Sequence, residues 1–325
     1  MHNAIVMRRY GPPSVLALES VESPPLQDGE IRIRSIASAI NHSDLEIRIG
    51  NWPILHDPPF PYTPGLEVVG EVIEVGRRVT DFRSGERLVT MMQGLGGVRA
   101  ERPGGYAEQV IVAASTCALV PNTIDPLDIA TLGLASVTAF GGLRKIGVLR
   151  GKRVVVTGAA GGVGSAAVSL AKAEGARVVA MVSRAHQATY VRSIGADEVV
   201  TREEVDGGAL PERSVDGVLD NVGGSAFSKF VAALREDGVL SLVGAVAGHE
   251  VMLDAYRLTE ATLTGYSSES LDGSRLRAVI AEIVQLLEQG RWPPPARKTF
   301  ALREAAAAHD SLERHNVTGR LLLLP

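Results

Sequence analysis

The chain carries a single cysteine, Cys117, in 325 residues. One thiol closes no internal disulfide and builds no multi-cysteine metal lobe, which excludes disulfide scaffolds and cysteine-rich zinc modules. Charge of one sign is also lacking. The net charge is −4 and no block of like charges occurs, so there is no basic field to draw nucleic acid or an anionic membrane surface. Aromatic-basic clusters, the platforms on which nucleic acids stack, are absent as well. The first ten residues have no signal-peptide apolar core and read as a strand. The only long uncharged run, between Arg153 and Lys172, is interrupted by glycines and serines and suits a tight loop between two elements better than a spanning helix. These features predict a soluble, cytoplasmic protein. No internal repeat or low-complexity tail is present.

What the chain does have is a 45% hydrophobic composition, enough for a sizeable core in a length that favours two domains. Residues 1 to about 118 alternate short apolar runs with Gly and Pro. In Gly29 to Ala37, Ile and Arg alternate with the period of a half-buried strand. Further strands are predicted at 67–75, 86–91 and 106–112, and a short helix near Ser43 with Asp44 in its first turn. From about 119 to 266 strands alternate with helical stretches, the signature of parallel βαβ units. The strands are predicted at 153–157, 177–182, 198–200, 215–219, 239–243 and 261–264, making a doubly wound sheet. The remainder, 267–325, reads as a helix, a proline break at Pro293 to Pro295, a second helix and a final strand at 320–324.

The run Arg153 to Ser165 passes from three valines into glycines and then into an alanine-rich segment: strand, loop, helix. Its fingerprint is Ala159-x-Gly161-x-x-Gly164, with Gly162 and Val163 between the last two glycines. Such a loop allows the sharp turn, the approach of a pyrophosphate to the backbone and close helix-strand packing, while the helix N-terminus offers unpaired N–H groups to the anion. An NAD-specific site places Asp or Glu about 20 residues further on to hold the ribose 2′-hydroxyl. Here that strand ends in Ser183-Arg184. A guanidinium there suits the 2′-phosphate of NADPH, and charge-assisted hydrogen bonds of about 1.5 to 3 kcal/mol give a preference of roughly ten- to hundredfold. Asn221, within Asp220 to Gly224, and Gly244 each follow a strand, where doubly wound sheets bind ligands.

Taken in order, Asn41 to Gly50, Pro64 to Val72, Gly104 to Glu108, Ala159 to Gly164 and Asp220 to Gly224 make the whole chain resemble the medium-chain dehydrogenase/reductase superfamily, and within it the zinc-independent quinone oxidoreductase family. The resemblance implies an α/β protein: a Rossmann doubly wound parallel sheet, with a β-rich GroES-like catalytic domain built from both chain ends. It further implies Asn41 beside the nicotinamide and substrate, Asp44 close by, Tyr106 as a wall of the site, Thr138 near the nicotinamide end, and Arg314 or Arg320 toward the adenosine phosphate unless these are solvated surface residues. Homodimers joined at the last Rossmann strand are a family expectation. Where zinc relatives carry Cys in a Cys-His-x-Asp run, this chain has Asn41-His42-Ser43-Asp44. Where they carry Gly-His-Glu it has Gly65-Leu66-Glu67, and the remaining cysteine position falls near Leu134. Thiolate and imidazole ligands are what zinc requires, so no metal is expected, and Glu67 is expected in a structural hydrogen bond or salt bridge.

Without a Lewis acid, hydride delivery to an electron-poor acceptor is the natural chemistry, with orientation supplying much of the rate. The expectation is an NADPH-dependent reductase of a small-molecule quinone or α,β-unsaturated carbonyl. Two alternatives stand beside it: an enoyl thioester or polyketide-type enoyl reductase, and a cofactor-binding protein without turnover.

Overall fold

A computed structural model of the protein describes residues 1–314 and 317–325. The chain forms two compact units. The first comprises Met1–Leu134, Glu269–Glu288 and Ala296–Pro325; the second comprises Ala135–Ser268 and Gln289–Pro295. The composition shift read at residue 118 thus lies ahead of the division between units, which falls after Leu134.

In the first unit β1 (His2–Val6) pairs antiparallel with β2 (Ala17–Val21). The long strand β3 (Glu30–Ala39) follows, then α1 (His42–Ile49), β4 (Glu67–Val75), β5 (Arg87–Met91), β6 (Gln109–Ala113) and the short β7 (Ala118–Leu119). The Ile/Arg alternation of β3 is expressed as a half-buried strand: Ile31 and Ile33 are fully buried, while Arg32 and Arg34 pair across to Glu74 and Glu71 on β4. Ile31, Ile33, Val68, Val72, Leu88 and Val112 fill this core, with Cys117 among them.

Helix α2 (Pro126–Ile146) is interrupted at Gly133, whose φ of 40° and ψ of −143° are not helical. It is the one described helix long and apolar enough to cross a membrane by length and composition, and 72% of its most apolar window is buried, as in a core helix. The uncharged run between Arg153 and Lys172 folds instead as strand, loop and helix.

The second unit holds β8 (Arg153–Val156), α3 (Gly162–Ala173), β9 (Arg177–Val182), α4 (Ala188–Ser193), β10 (Glu198–Thr201), α5 (Arg202–Asp206), β11 (Val215–Asp220), α6 (Phe227–Ala233), β12 (Leu234–Leu242) and β13 (Thr262–Gly265). The six strands are parallel, in the order β10-β9-β8-β11-β12-β13. This is the doubly wound arrangement, whose order reverses beside the first strand and places ligands at the strands' carboxyl ends. Val155, Val179, Val218 and Leu240 pack against Phe227 and Phe230 of α6 in its core. β12 starts five residues before the predicted strand because it runs through Arg235, Glu236 and Asp237, whose polarity hides it from a hydrophobic-pattern reading.

The chain then returns to the first unit with α7 (Gly273–Glu288), β14 (Arg297–Ala301), α8 (Ala305–Glu313) and β15 (Arg320–Leu324). β15 pairs parallel with β14 and antiparallel with the end of β3. Between α7 and β14, Trp292 belongs to the second unit and is fully buried there. Its indole N–H is shared between the Ala166 carbonyl at 3.2 Å and Ser169 Oγ at 3.0 Å on α3.

Candidate functional site

The first unit gathers its polar side chains around Asn41. Asn41 is the N-cap of α1, and the carboxylate of Asp44, three residues on, accepts its backbone N–H at 2.8 Å. That is one half of a capping box. The Asn41 side chain does not close the other half; it bridges charges. Its Nδ2 donates to Glu67 Oε1 at 2.8 Å and to Asp44 Oδ2 at 3.3 Å, and its Oδ1 accepts from Arg320 Nη1 at 3.0 Å. An amide suits this place because it carries two N–H donors for the carboxylates and an oxygen acceptor for the guanidinium on one planar group.

Glu67, the first residue of β4, and Arg320, the first of β15, form an ion pair with both side chains almost wholly buried. Glu67 Oε2 also accepts the Leu134 N–H at 2.8 Å. Gly133 makes that approach available, since a Cβ there would stand 1.8 Å from Glu67 Oε2. Asp44 Oδ1 accepts the Leu66 N–H at 3.0 Å. The cluster therefore contains two carboxylates and one guanidinium. Asp44 is fully buried with no direct ion-pair partner among the described residues. Desolvation first, with the charge of Glu67 adding to it, pushes its carboxyl up to about 7 against the hydrogen bonds from Asn41 and Leu66.

Tyr106 lies behind Asp44 and is fully buried, so it is part of the interior and not an open wall. Burial, followed by the charge of Asp44, raises its hydroxyl well above the usual tyrosine value. On its other side the hydroxyl meets His309 Nε2 of α8 at 3.3 Å. Arg320, expected at the adenosine phosphate or on the surface, is 4% exposed and belongs to the Asn41 network. Arg314 is a surface residue paired with Asp310 at 2.8 Å. His42 is half-exposed beside Glu46, and the buried Cys117 thiol is pushed up to about 12, chiefly by desolvation. A cavity of about 490 Å³ in this unit, lined by His2, Arg32, Arg102 and Gln109 among others, shares none of the network residues.

In the second unit the loop after β8 carries the glycine fingerprint. Ala159 is buried against β9, donating its N–H to the Met181 carbonyl at 3.0 Å. Gly161 is exposed and is the N-cap of α3, with Gly162 and Val163 half-buried behind it and no acidic residue in the first turn. A Cβ on Gly164 would lie 2.1 Å from the Gly158 carbonyl, so only glycine permits this closeness of helix and loop. At the end of β9, Ser183 and Arg184 are exposed, with the Ser183 hydroxyl and the Arg184 N–H both donating to Gln187 Oε1, at 3.1 and 3.2 Å.

Asn221 and Gly244 come together at the ends of β11 and β12, where a Cβ on Gly244 would be 2.7 Å from the Asn221 carbonyl. Thr138 is half-buried on α2. Asp220 Oδ1 accepts from Thr157 Oγ1 at 2.7 Å and from the N–H groups of Val222 and Gly223. Asp220 Oδ2, Asn221 Oδ1 and Ser241 Oγ are buried with no hydrogen-bond partner among the described residues. An unpaired buried polar atom costs about 1 to 3 kcal/mol. Three of them at the carboxyl ends of neighbouring strands fit a site whose polar ligand completes them. A dinucleotide fits these residues: an acid-free helix N-terminus for the pyrophosphate, and an exposed serine and arginine at the next strand end.

A six-stranded parallel sheet in this order with a glycine loop, together with a β-rich unit completed by the chain's last strand, defines an oxidoreductase of the medium-chain type. Two family models match: "Alcohol dehydrogenase GroES-like domain" over residues 27–122 and "Zinc-binding dehydrogenase" over 162–289. A 2-methylene-furan-3-one reductase of Solanum lycopersicum is 35% identical over 97% of this chain and 77% of its own length. A quinone oxidoreductase of Sus scrofa is 28% identical over 99% of this chain and 97% of its own. Among solved structures, Escherichia coli quinone oxidoreductase complexed with NADPH superposes with a TM-score of 0.86 at 25% identity, covering 99% of this chain and 100% of that one. The chain belongs to the medium-chain dehydrogenase/reductase superfamily, in its quinone oxidoreductase family.

The zinc in the name of the second family does not fit the residues present. Position 41 offers an amide, positions 66 and 134 offer leucines, and the Arg320 guanidinium already stands against Asn41 and Glu67. A second cation beside it would be repelled, and the donor set lacks the thiolate and imidazole that zinc takes.

Proposed function

We propose that the protein is an NADPH-dependent, zinc-independent reductase that transfers hydride to a quinone or an α,β-unsaturated carbonyl compound. The observation that carries this reading is the paired makeup of its two sites. The nucleotide loop is followed by Ser183-Arg184 in place of an acid, and in the Asn41 cluster the Glu67 carboxylate is paired with the Arg320 guanidinium, not with a metal. When bound, the reduced nicotinamide supplies the hydride.

The chain's own residues do the rest. The N–H groups of Gly162, Val163 and Gly164 would hold the pyrophosphate, with Gly161, whose own N–H is given to the Gly158 carbonyl, leaving room for its approach, and Arg184 would pair with the 2′-phosphate. Asn221 and Gly244 border the ribose, with Thr138 toward the nicotinamide. Asn41 is held rigid by Asp44, Glu67 and Arg320, so the acceptor meets a pre-set surface and orientation supplies much of the acceleration. A quinone or enone is already electron-poor, and its reduction needs no Lewis acid. The names of the tomato and pig relatives, a furanone reductase and a quinone oxidoreductase, support that acceptor class.

A second copy of the chain is the proposed partner. β13 is the terminal strand of its sheet, and Met252, Tyr256 and Leu258 ahead of it are exposed; edge-to-edge pairing would cover both. Light scattering should give twice the mass of one chain.

The activity is tested by following the reduced-nicotinamide absorbance with 1,4-benzoquinone and with simple enones. NADPH consumption with at least one class is expected, and silence across a broad acceptor panel refutes the proposal.

A further inference from the structure

The alternation that sends Ile31 and Ile33 into the core of the first unit sends Glu30 and Arg32 to the opposite face of β3. Period two does the same on β6, where Val110 and Val112 are core residues and Gln109 and Ile111 are only half-buried. β1 joins this region through the bridge between Ala4 and Ala107, and β2 through its pairing with β1. Residues of all four strands line the cavity of about 490 Å³. Small-molecule sites span about 300 to 1,000 Å³. Every lining residue belongs to the first unit.

The lining combines apolar walls with two cations. Ala4, Val6, Val21, Pro24, Pro103 and Ile111 supply apolar surface. Arg32, with a side chain 12% exposed, donates from Nε to Glu74 and from Nη2 to the Pro24 carbonyl, each at 2.9 Å. Its Nη1 is buried with no hydrogen-bond partner among the described residues. Arg102 gives one N–H to Glu30 Oε1 across a long 3.4 Å. The other oxygen of Glu30 accepts the Gln27 N–H at 3.0 Å. Glu30 and Arg32 stand two residues apart on one face of β3, so Arg32 and the Arg102 that meets Glu30 serve the same stretch of the cavity. Other polar groups of the lining satisfy one another: Ser23 Oγ lies 3.0 Å from His2 Nδ1 and donates to Gln109 Oε1 at 3.3 Å.

We propose that this cavity is a second ligand site, for a small amphipathic monocarboxylate whose hydrocarbon body lies on the apolar walls and whose carboxylate is held by Arg32 and Arg102. An ionised carboxyl only accepts hydrogen bonds, and its two oxygens match the paired N–H donors of a guanidinium. A single negative charge is what the cavity takes. Glu19, Glu22 and Glu101 also line it and repel a dianion such as a phosphate monoester, while Arg8 is already paired with Glu19 at 2.8 Å. The site stands apart from the reductase reading, since no residue of the Asn41 cluster or the glycine loop lines it.

The test titrates sodium octanoate into the full chain by calorimetry, beside octan-1-ol and octylamine, and repeats the octanoate titration on Arg102→Leu and Val21→Trp. Wild type should bind octanoate with a Kd of about 1 mM or lower. Octanol and octylamine should bind at least about tenfold more weakly, because neither carries the acceptor-only head. Arg102→Leu should weaken octanoate roughly ten- to hundredfold, the worth of a hydrogen bond between charged groups. Val21→Trp, which fills the apolar part and leaves both cations in place, should abolish binding. NADPH affinity equal to wild type reports that each variant is folded. The proposal is overturned if octanoate does not bind wild type, if octanol binds as tightly as octanoate, or if both folded variants keep wild-type affinity. Octanoate that competes with benzoquinone at a constant equal to its Kd would also overturn it, by placing the acid in the acceptor site. Because binding is read as heat, a chain that reduces no acceptor would sink the reductase reading and leave this one to the calorimeter.

Discussion

Replacing Asp44 by asparagine should change how the protein's stability depends on pH. The folded carboxyl titrates near 7, against 3.8 for the exposed group, because burial opposes its charge. Between those two values the folded state holds a proton that the unfolded state has released. Unfolding then releases a proton, so stability falls as pH rises through the window. Each tenfold difference in proton affinity between the two states is worth about 1.4 kcal/mol, and a difference of roughly a thousandfold gives a loss of about 4 kcal/mol from pH 4 to above 7. Asparagine does not ionise, so Asp44→Asn removes this slope. The substitution also turns one acceptor into a donor facing Asn41, which lowers stability by a constant offset and leaves the slope argument intact. Urea unfolding of both proteins at closely spaced pH values from about 4.5 to about 7.5 measures the difference curve. Its expected form is a steady decline of wild type relative to the variant, approaching about 1.4 kcal/mol per pH unit. Parallel curves would show that Asp44 is ionised throughout and that burial does not dominate its environment.

Three other outcomes follow from the structure. Gly133→Ala places a methyl against Glu67 and strains a backbone at φ 40° and ψ −143°; a loss of about 2 to 4 kcal/mol is expected from strain plus the broken Leu134 bond, and a melting temperature equal to wild type would refute the packing at that point. Arg184→Ala should weaken NADPH binding by roughly ten- to hundredfold and leave NADH unchanged, as read by isothermal titration; equal losses for both nucleotides would remove the arginine from the 2′-phosphate. Cys117, buried with its thiol pushed up to about 12, should resist an aromatic disulfide reagent at mildly alkaline pH until the protein is denatured, and rapid labelling of native protein would contradict that burial.

The second unit was largely readable because its strands are apolar runs bounded by glycine. The observed Arg177–Val182 matches the predicted strand end for end, and the glycine loop sits on the predicted strand and helix. The first unit hid more. β14 is Arg297-Lys-Thr-Phe-Ala301, a mostly exposed strand with no apolar period, and β7 has two residues. At the site, Asn41 and Asp44 were visible as a helix start, and Glu67 as a residue needing a partner. Arg320 was not legible as that partner. Its burial is decided by Asn41 and Glu67, 279 and 253 residues away, and no local pattern marks a charged residue whose neutralising groups are that distant. His309 was missed for the same reason, since its partner Tyr106 lies 203 residues upstream.

Those separations also govern how the molecule comes into being on the ribosome. Glu67 is synthesised with β4, but the guanidinium that neutralises it follows 253 residues later, so the first unit's interior holds an uncompensated carboxylate until β15 has been made. The second unit is delayed as well: Trp292 emerges 126 residues after Ala166 on the helix it covers, which at about 5 to 20 residues per second is roughly 6 to 25 seconds of synthesis. During that interval the face of α3 behind the glycine loop is open. Each unit waits on a segment made late, and a nascent chain truncated before residue 292 should be a client for chaperones with both halves unfinished.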